Sequence, residues 1–262
     1  MSSVSSLGYA AGFDLNQILA SKERSVAARL NFYDQQATAY NSRLSGYAKV
    51  RSSLDKLNDA ANAITKLGNF DPAKNGDTSP AVSAVKQLVD AFNSVRSEIG
   101  AQSAVGKDNS VRGALAGDAS LRAISTALQG ALDNVGMSKL GLSFDKQGDL
   151  TLDSAKLEKA LKDDPDAVKN LLQGNDKDGG LGKAIADVVT AVTKPGGYLD
   201  KAASQVKGDL RNLAGRQADE ATRAAALMET YRIQYTRLDM LVNNSNSANA
   251  FFSGQMALLG GR

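Results

Sequence analysis

The sequence predicts a mostly α protein: a long antiparallel coiled coil of its N- and C-terminal helices, plus a compact helical body with one β-hairpin. Three observations predict it. Apolar residues recur in alternating steps of four and three across residues 26–64 and again across 199–242, the pattern of a helix with a seam. Strand-period alternation is clear only at 140–152. The composition, 42% hydrophobic but 5% aromatic with 24 Gly and 4 Pro in 262 residues, favours Ala- and Leu-rich helices over a β-sandwich.

Residues 1–25 read as a mobile N-terminal segment, because Ser, Gly and Ala fill 1–13 without a sustained period. Asp14 then offers a helix cap, with Gln17 as its capping-box partner. The N-terminal coiled-coil helix spans 26–68. Its seam reads Val26, Leu30, Tyr33, Ala37, Tyr40, Leu44, Tyr47, Val50, Leu54, Leu57, Ala61 and Ile64, with one stammer at Leu44–Tyr47–Val50. Gly68 supplies the stop.

The Asn, Asp, Gly and Pro cluster at 69–79 is a surface loop. The helical body occupies 80–197. Ser79-Pro80 starts its first helix, a cap followed by a first-turn proline, for Val82, Val85, Leu88, Val89, Phe92, Val95 and Ile99. After a looser stretch from Gly100 to Gly113, a helix begins at Asp118 and carries Leu121, Ile124, Leu128 and Leu132. Leu140, Leu142 and Phe144 form one hairpin strand, Asp145–Asp149 turns the chain, and Leu150-Thr151-Leu152 returns. Such a hairpin needs helices to pack on. Asp153 caps a short helix through Leu157 and Leu161, and Asp164-Pro165 starts another through Val168, Leu171 and Leu172. A loop at 174–180 leads to a helix with Leu181, Ile185, Val188, Val189 and Val192, and Pro195-Gly196-Gly197 ends the body.

The C-terminal coiled-coil helix covers 198–242. Leu199, Ala203, Val206, Leu210, Leu213, Gln217, Ala221, Ala224, Met228, Tyr231, Tyr235, Leu238 and Val242 make its seam, with a stutter at Leu213–Gln217–Ala221. At 1.5 Å per residue the two seams are about 57 and 65 Å long, so they are expected to pair with each other. Residues 243–262 form an apolar C-terminal tip. Asn243–Asn249 interrupts the seam with poor helix formers, and Phe251, Phe252, Met256, Leu258 and Leu259 follow. That cluster reads as an interface. Together with Leu7, Phe13, Leu15, Ile18 and Leu19 it gives the candidate contacts to other subunits or partners. Both segments are expected to be disordered or loosely helical in the isolated subunit and to order on assembly.

The missing residues limit chemistry. With no His and no Cys, the chain lacks imidazole bases, thiol nucleophiles, disulfides and the usual zinc ligands. Asn175–Gly179 resembles half a calcium loop, but its register would put Gly174 and Ile185 at ligand positions. Gly100 to Lys107 misses the phosphate-loop pattern, since Asp108 stands where a hydroxyl should be. The carboxylates Asp145, Asp149, Asp163 and Asp164 sit in turns, where capping explains them. The expectation is a non-enzyme with no catalytic residue, no metal and no cofactor. The formal charge of +3 without a Lys/Arg block predicts no nucleic-acid partner, and no segment is apolar for long enough to span a membrane. The N-terminus has no basic start and apolar core of a cleaved secretory signal.

Two stretches point to one family. Ser5-Ser6-Leu7-Gly8 and Gly12-Phe13-Asp14-Leu15-Asn16, followed by the long seam helix, are joined by Leu140–Leu157, Ala160-Leu161 and Asp164–Val168. With Leu115–Asp118 and Tyr235–Asp239, this ordered set resembles the flagellar filament cap family, hook-associated protein 2 (FliD). The likeness covers most of 1–68 and 80–262. Members carry large, mostly β outer domains where this chain has only the loop 69–79.

The resemblance implies a secreted protein of the bacterial flagellum, exported unfolded by the type III route and acting at the distal end of the filament. It implies a homo-oligomeric ring, commonly a pentamer, that retains flagellin and promotes its folding and polymerisation. The implied further partners are the hook-filament junction protein and a cytoplasmic export chaperone. The alternatives are another flagellar axial protein, such as a junction protein, or an intracellular coiled-coil regulator.

Overall fold

A computed structural model describes residues 15–67, 77–106, 112–133, 135–174 and 179–259. It is mostly α with one hairpin, as the sequence predicts. Two compact units are present. One takes the chain up to Thr38 and from Leu210 onward, and the other is the body, Ala39–Asp209. The helices α1 (Leu15–Thr65) and α7 (Tyr198–Leu259) contribute to both.

In the body, α1 supplies Tyr47, Val50, Leu54, Leu57, Ala61 and Ile64 to a single hydrophobic core. Helix α2 (Ser79–Ser103) buries Val85, Leu88, Phe92, Val95 and Ile99 in it. Its start differs from the sequence reading. Thr78 holds the cap position without a side-chain bond, Ser79 is already helical, and the Asp77 carboxylate accepts the Ser79 N–H at 2.9 Å. The helix also continues past Gly100, because Ile99 is buried and Ser103 Oγ bonds back to its carbonyl at 2.7 Å. The chain then doubles back, Gly113 N–H donating to Ala104 O and Leu115 N–H to Gln102 O.

Helix α3 (Ala119–Asp133) turns Leu121, Ile124, Leu128 and Leu132 inward and packs on α6 (Leu181–Thr193). A 3₁₀ turn, Met137–Leu140, lies between Gly136 and Gly141, both left-handed, at φ 70° and 72°. Strands β1 (Leu142–Phe144) and β2 (Leu150–Leu152) pair antiparallel, Leu142 with Leu152 and Phe144 with Leu150. Asp145 Oδ1 shapes the turn by accepting the N–H of Gln147 and Asp149. Asp153 caps α4 (Ser154–Asp163) and Asp164 caps α5 (Pro165–Gln173), each carboxylate accepting a backbone N–H at 3.0 Å. Both caps stand where the sequence puts them.

Two helix ends reach further than the seams suggest. Helix α1 takes in residues from Leu15, within the stretch the sequence assigns to a mobile segment. Helix α7 runs unbroken through Asn243–Asn249 to Leu259. Asn and Ser cost a helix about 0.5–0.7 kcal/mol each relative to Ala, which weakens a continuous helix without the steric block that Pro imposes. Residues 1–14, the loop residues 68–76 with the Gly68 stop, Lys107–Val111 and the 175–178 stretch lie outside the described residues, as does the Asp14 cap.

Candidate assembly interface

In the coiled-coil unit, side-chain pairs fix how α1 and α7 run. Arg29 Nε pairs with Glu220 at 3.1 Å, Gln217 Nε2 donates to Asp34 at 2.8 Å, Arg232 pairs with Glu23 at 3.3 Å, and Lys22 Nζ stands 6.0 Å above the Tyr231 ring. As the α1 number rises the α7 number falls, with each pair totalling near 252. The helices are therefore antiparallel. Between these polar rims Leu213, Ala224 and Met228 are buried, and Leu30, Tyr33, Leu210, Tyr231 and Tyr235 are half-buried. The rings of Tyr231 and Tyr235 stack, 6.0 Å apart. In the body, Leu54 and Val206 belong to one core, with Tyr40 and Leu44 packed on it half-buried.

Leu238 departs from the rest of the seam at 40% exposure. Phe251, Phe252 and Met256 are 63%, 65% and 71% exposed, and the two Phe rings meet edge to face. At the other end Ile18 is exposed and Leu19 half-buried. Leu7 and Phe13 lie outside the described residues, as do the side chains of Leu15, Leu258 and Leu259. Among the described residues, the body exposes only Val105 and Tyr198 of its large apolar side chains. Its neighbour exposes Ile18, Phe32, Leu227, Ile233, Leu238, Met240, Leu241, Phe251, Phe252 and Met256. Among the described residues, the exposed large apolar side chains are thus concentrated in the coiled-coil unit.

Sequence reasoning missed the polar contacts that hold the body. The Tyr47 hydroxyl donates to Asp118, whose carboxylate also accepts the Ser120 N–H and faces Arg43 at 3.8 Å. Burial, then the Asp118 carboxylate, pushes the Tyr47 hydroxyl up to about 12. The Asn93 amide grips β2 with two bonds of 2.8 Å, donating to Leu150 O and accepting from Leu150 N–H. Arg96 closes over the hairpin turn, onto Asp149 at 3.1 Å and Gln147 O at 2.8 Å. Apart from the local Ser120 bond, these partners lie more than fifty residues apart in sequence, and no local pattern announces them. Among the described residues no group of three or more Asp, Glu, His or Cys could hold a metal ion, and no helix is long and apolar enough to cross a membrane.

Comparison with known proteins gives a consistent result. The family model described as flagellar hook-associated protein 2 C-terminus matches residues 75–247. The chain is 29% identical over 218 residues to flagellar hook-associated protein 2 of Salmonella typhimurium, covering 78% of this chain and 44% of that protein. The Escherichia coli K12 protein of that name is 30% identical over 194 residues, covering 68% and 42%. The B-type protein of Pseudomonas aeruginosa is 29% identical over 224 residues, covering 80% and 46%. The chain thus spans a little under half the length of these curated relatives. The crystal structure of the flagellar cap protein FliD D1-D2-D3 domains from Escherichia coli aligns with a TM-score of 0.43 at 33% identity, over 49% of this chain and 37% of that one. The family match runs from before α2 far into α7, and on that match the chain belongs to the flagellar hook-associated protein 2 family.

Proposed function

We propose that this chain is a non-enzymatic capping protein at the distal end of a bacterial flagellar filament. It is secreted unfolded through the flagellar type III route, retains exported flagellin, and promotes its folding and polymerisation. Copies assemble into a ring, a pentamer, that sits on the filament and meets the hook-filament junction protein first. A cytoplasmic export chaperone shields the apolar C-terminal tip beforehand.

The observation that carries this reading is the family match across 75–247. It takes in the hairpin and both capped helices after it. The exposed apolar set supports an assembly role, with Ile18, Phe251, Phe252 and Met256 as contacts to other subunits or partners and Leu7, Phe13, Leu15, Leu19, Leu258 and Leu259 beside them in sequence. The antiparallel pairing of α1 with α7 holds that set out on helices. Deletion of the gene, followed by inspection of the medium, tests the proposal. Unpolymerised flagellin should appear there, and re-expression of this chain should restore filaments. Filaments of normal length without the gene would overturn it.

A further inference from the structure

We infer that one flank of the coiled-coil unit, the groove beside Phe32 and Leu227, takes a third helix from another protein, an amphipathic helix with acidic borders. The inference goes beyond the cap reading and does not rest on it.

The two flanks of the seam are built differently. At about 100° per residue, Glu23 and Asp34 leave α1 on one side of Leu30, Tyr33 and Ala37, whereas Ser25, Arg29 and Phe32 leave it on the other. On α7, Arg232 falls on the first side, and Arg216, Glu220, Arg223 and Leu227 fall on the second. The first flank is closed by polar contacts, Arg232 to Glu23 at 3.3 Å and Gln217 to Asp34 at 2.8 Å. The second carries the Arg29–Glu220 pair but stays open, and Ser25, Ala28, Arg29, Phe32, Tyr33 and Glu220 line a groove of about 600 Å³ there. Phe32 is 58% exposed, its ring set edge to face on Tyr33, and Leu227 is 43% exposed. With cross-helix pairs totalling near 252, Phe32 is level with Glu220 and Leu227 with Ser25. The two apolar side chains therefore stand one heptad, about 10 Å, apart along the groove. Positions flanking a two-helix seam are commonly charged. Apolar ones at heptad spacing make half of a second seam.

Charge selects the occupant. Lys22, Arg29, Arg216 and Arg223 border this flank against a single carboxylate, Glu220. Lys22 lies over the Tyr231 ring and Arg29 is paired, but Arg216 and Arg223 are exposed, and among the described residues neither has an ion-pair partner. A second copy laid on the same flank would set bases against bases, and like charges facing each other across an interface suppress association. The chain's own ends do not answer the charge either, since residues 1–14 and 257–262 contain one acid, Asp14. An acidic amphipathic helix meets both demands. Its apolar stripe covers Phe32 and Leu227, and its border carboxylates reach the free arginines, the helix-in-groove mode of recognition.

The test titrates the full chain into a fluorescently labelled synthetic helix of three heptads, with Leu along its seam and Glu at its borders, and reads anisotropy. Saturable binding in the micromolar range is expected, weakening as salt is raised. Phe32→Glu and Arg223→Glu should each weaken it by about tenfold or more, the scale of losing an anchor residue or a complementary charge. Arg211→Glu, an equal charge change at an exposed position on the far side of α7, should alter it less than about twofold. Unchanged far-ultraviolet circular dichroism shows that each variant is folded, and Arg223→Glu, confined to the surface, carries the test if Phe32→Glu does not fold. Absence of binding, equal binding of a helix with Lys at its borders, or equal effects at 211 and 223 would overturn the inference. So would two other occupants: the chain's own first residues, if removing 1–14 tightens binding about tenfold, or a second copy, if the wild type self-associates and Phe32→Glu does not. None of these results alters the flagellin-release test of the cap reading.

Discussion

Asn93→Leu removes the side-chain amide that holds the hairpin while keeping nearly the same volume. In the wild type that amide makes two bonds of 2.8 Å to the main chain of Leu150, a residue only 1% exposed. Each bond is worth about 1 kcal/mol net, but a buried N–H or C=O left without a partner costs about 1–3 kcal/mol. Leu150 would lose a partner for both groups. The added apolar area of Leu offsets part of this, so the expected loss is about 2–4 kcal/mol, a large share of the roughly 5–15 kcal/mol typical of a domain. Asn93→Asp should lose a similar amount, because the N–H keeps its acceptor while a carboxylate oxygen is pressed against Leu150 O. Urea unfolding followed by far-ultraviolet circular dichroism should show the midpoint falling at constant slope. A loss below 1 kcal/mol for Asn93→Leu would refute the claim that this amide anchors the hairpin.

Three further outcomes follow from the same contacts. Cysteines placed at Asp34 and Gln217, whose side chains bond at 2.8 Å, should be joined within one chain by a short thiol crosslinker; products only between chains would rule out the antiparallel pairing. Because burial raises the Tyr47 hydroxyl from 10 to about 12, the fold favours its neutral form. The stability this adds is complete below pH 10 and is lost as the pH rises from 10 through 12, by roughly 2–3 kcal/mol. Tyr47→Phe should flatten that alkaline limb, and an unchanged limb would refute the assignment. A Cβ at Gly182 would stand 2.6 Å from Ala61 O and 2.8 Å from Thr65 Cγ2, so Gly182→Ala should lower the melting temperature, overpacking costing about 1–3 kcal/mol against a helix-propensity gain of about 1 kcal/mol; a higher melting temperature would show that α6 does not approach α1 so closely.

Much of the architecture is local and was therefore legible. Asp153, Asp164 and Pro165 announce their helix starts because a cap acts on a backbone N–H three residues on. The Leu140, Leu142, Phe144, Leu150 and Leu152 pattern gives the hairpin for the same reason, as its register is set across a short turn, although Leu140 itself falls in the 3₁₀ turn and the strand starts at Leu142. Three features were not legible, each for a physical reason. The α2 start moved by one position because Asp77 competes with Ser79 for the capping role. The Asn243–Asn249 stretch looked like an end because propensity is a weak prior, and a helix tolerates several weak formers in a row. The grip of Asn93 on Leu150 depends on tertiary approach across 57 residues, which no periodicity encodes. For the candidate interface, the residues themselves were readable, since apolar side chains at 251, 252 and 256 stand out in a polar stretch, and all three are exposed.

The uneven sorting of apolar side chains means that temperature acts differently on the two units. Unfolding the body exposes a core of Leu, Ile, Val and Ala with Phe92 among its largest members, and hydration of apolar surface carries a large heat capacity. At ~12–15 cal/mol/K per residue, residues 39–209 have an increment of about 2–2.6 kcal/mol/K. The body's stability is consequently a steep dome that falls on cooling as well as on heating. The coiled-coil unit, with only Leu213, Ala224 and Met228 fully buried among its described residues, exposes less new apolar surface per residue when it melts, and its curve is shallower. Calorimetry should resolve a sharp endotherm from a broader one with a smaller heat-capacity step per residue, and chilling weakens the core more than the helical pair.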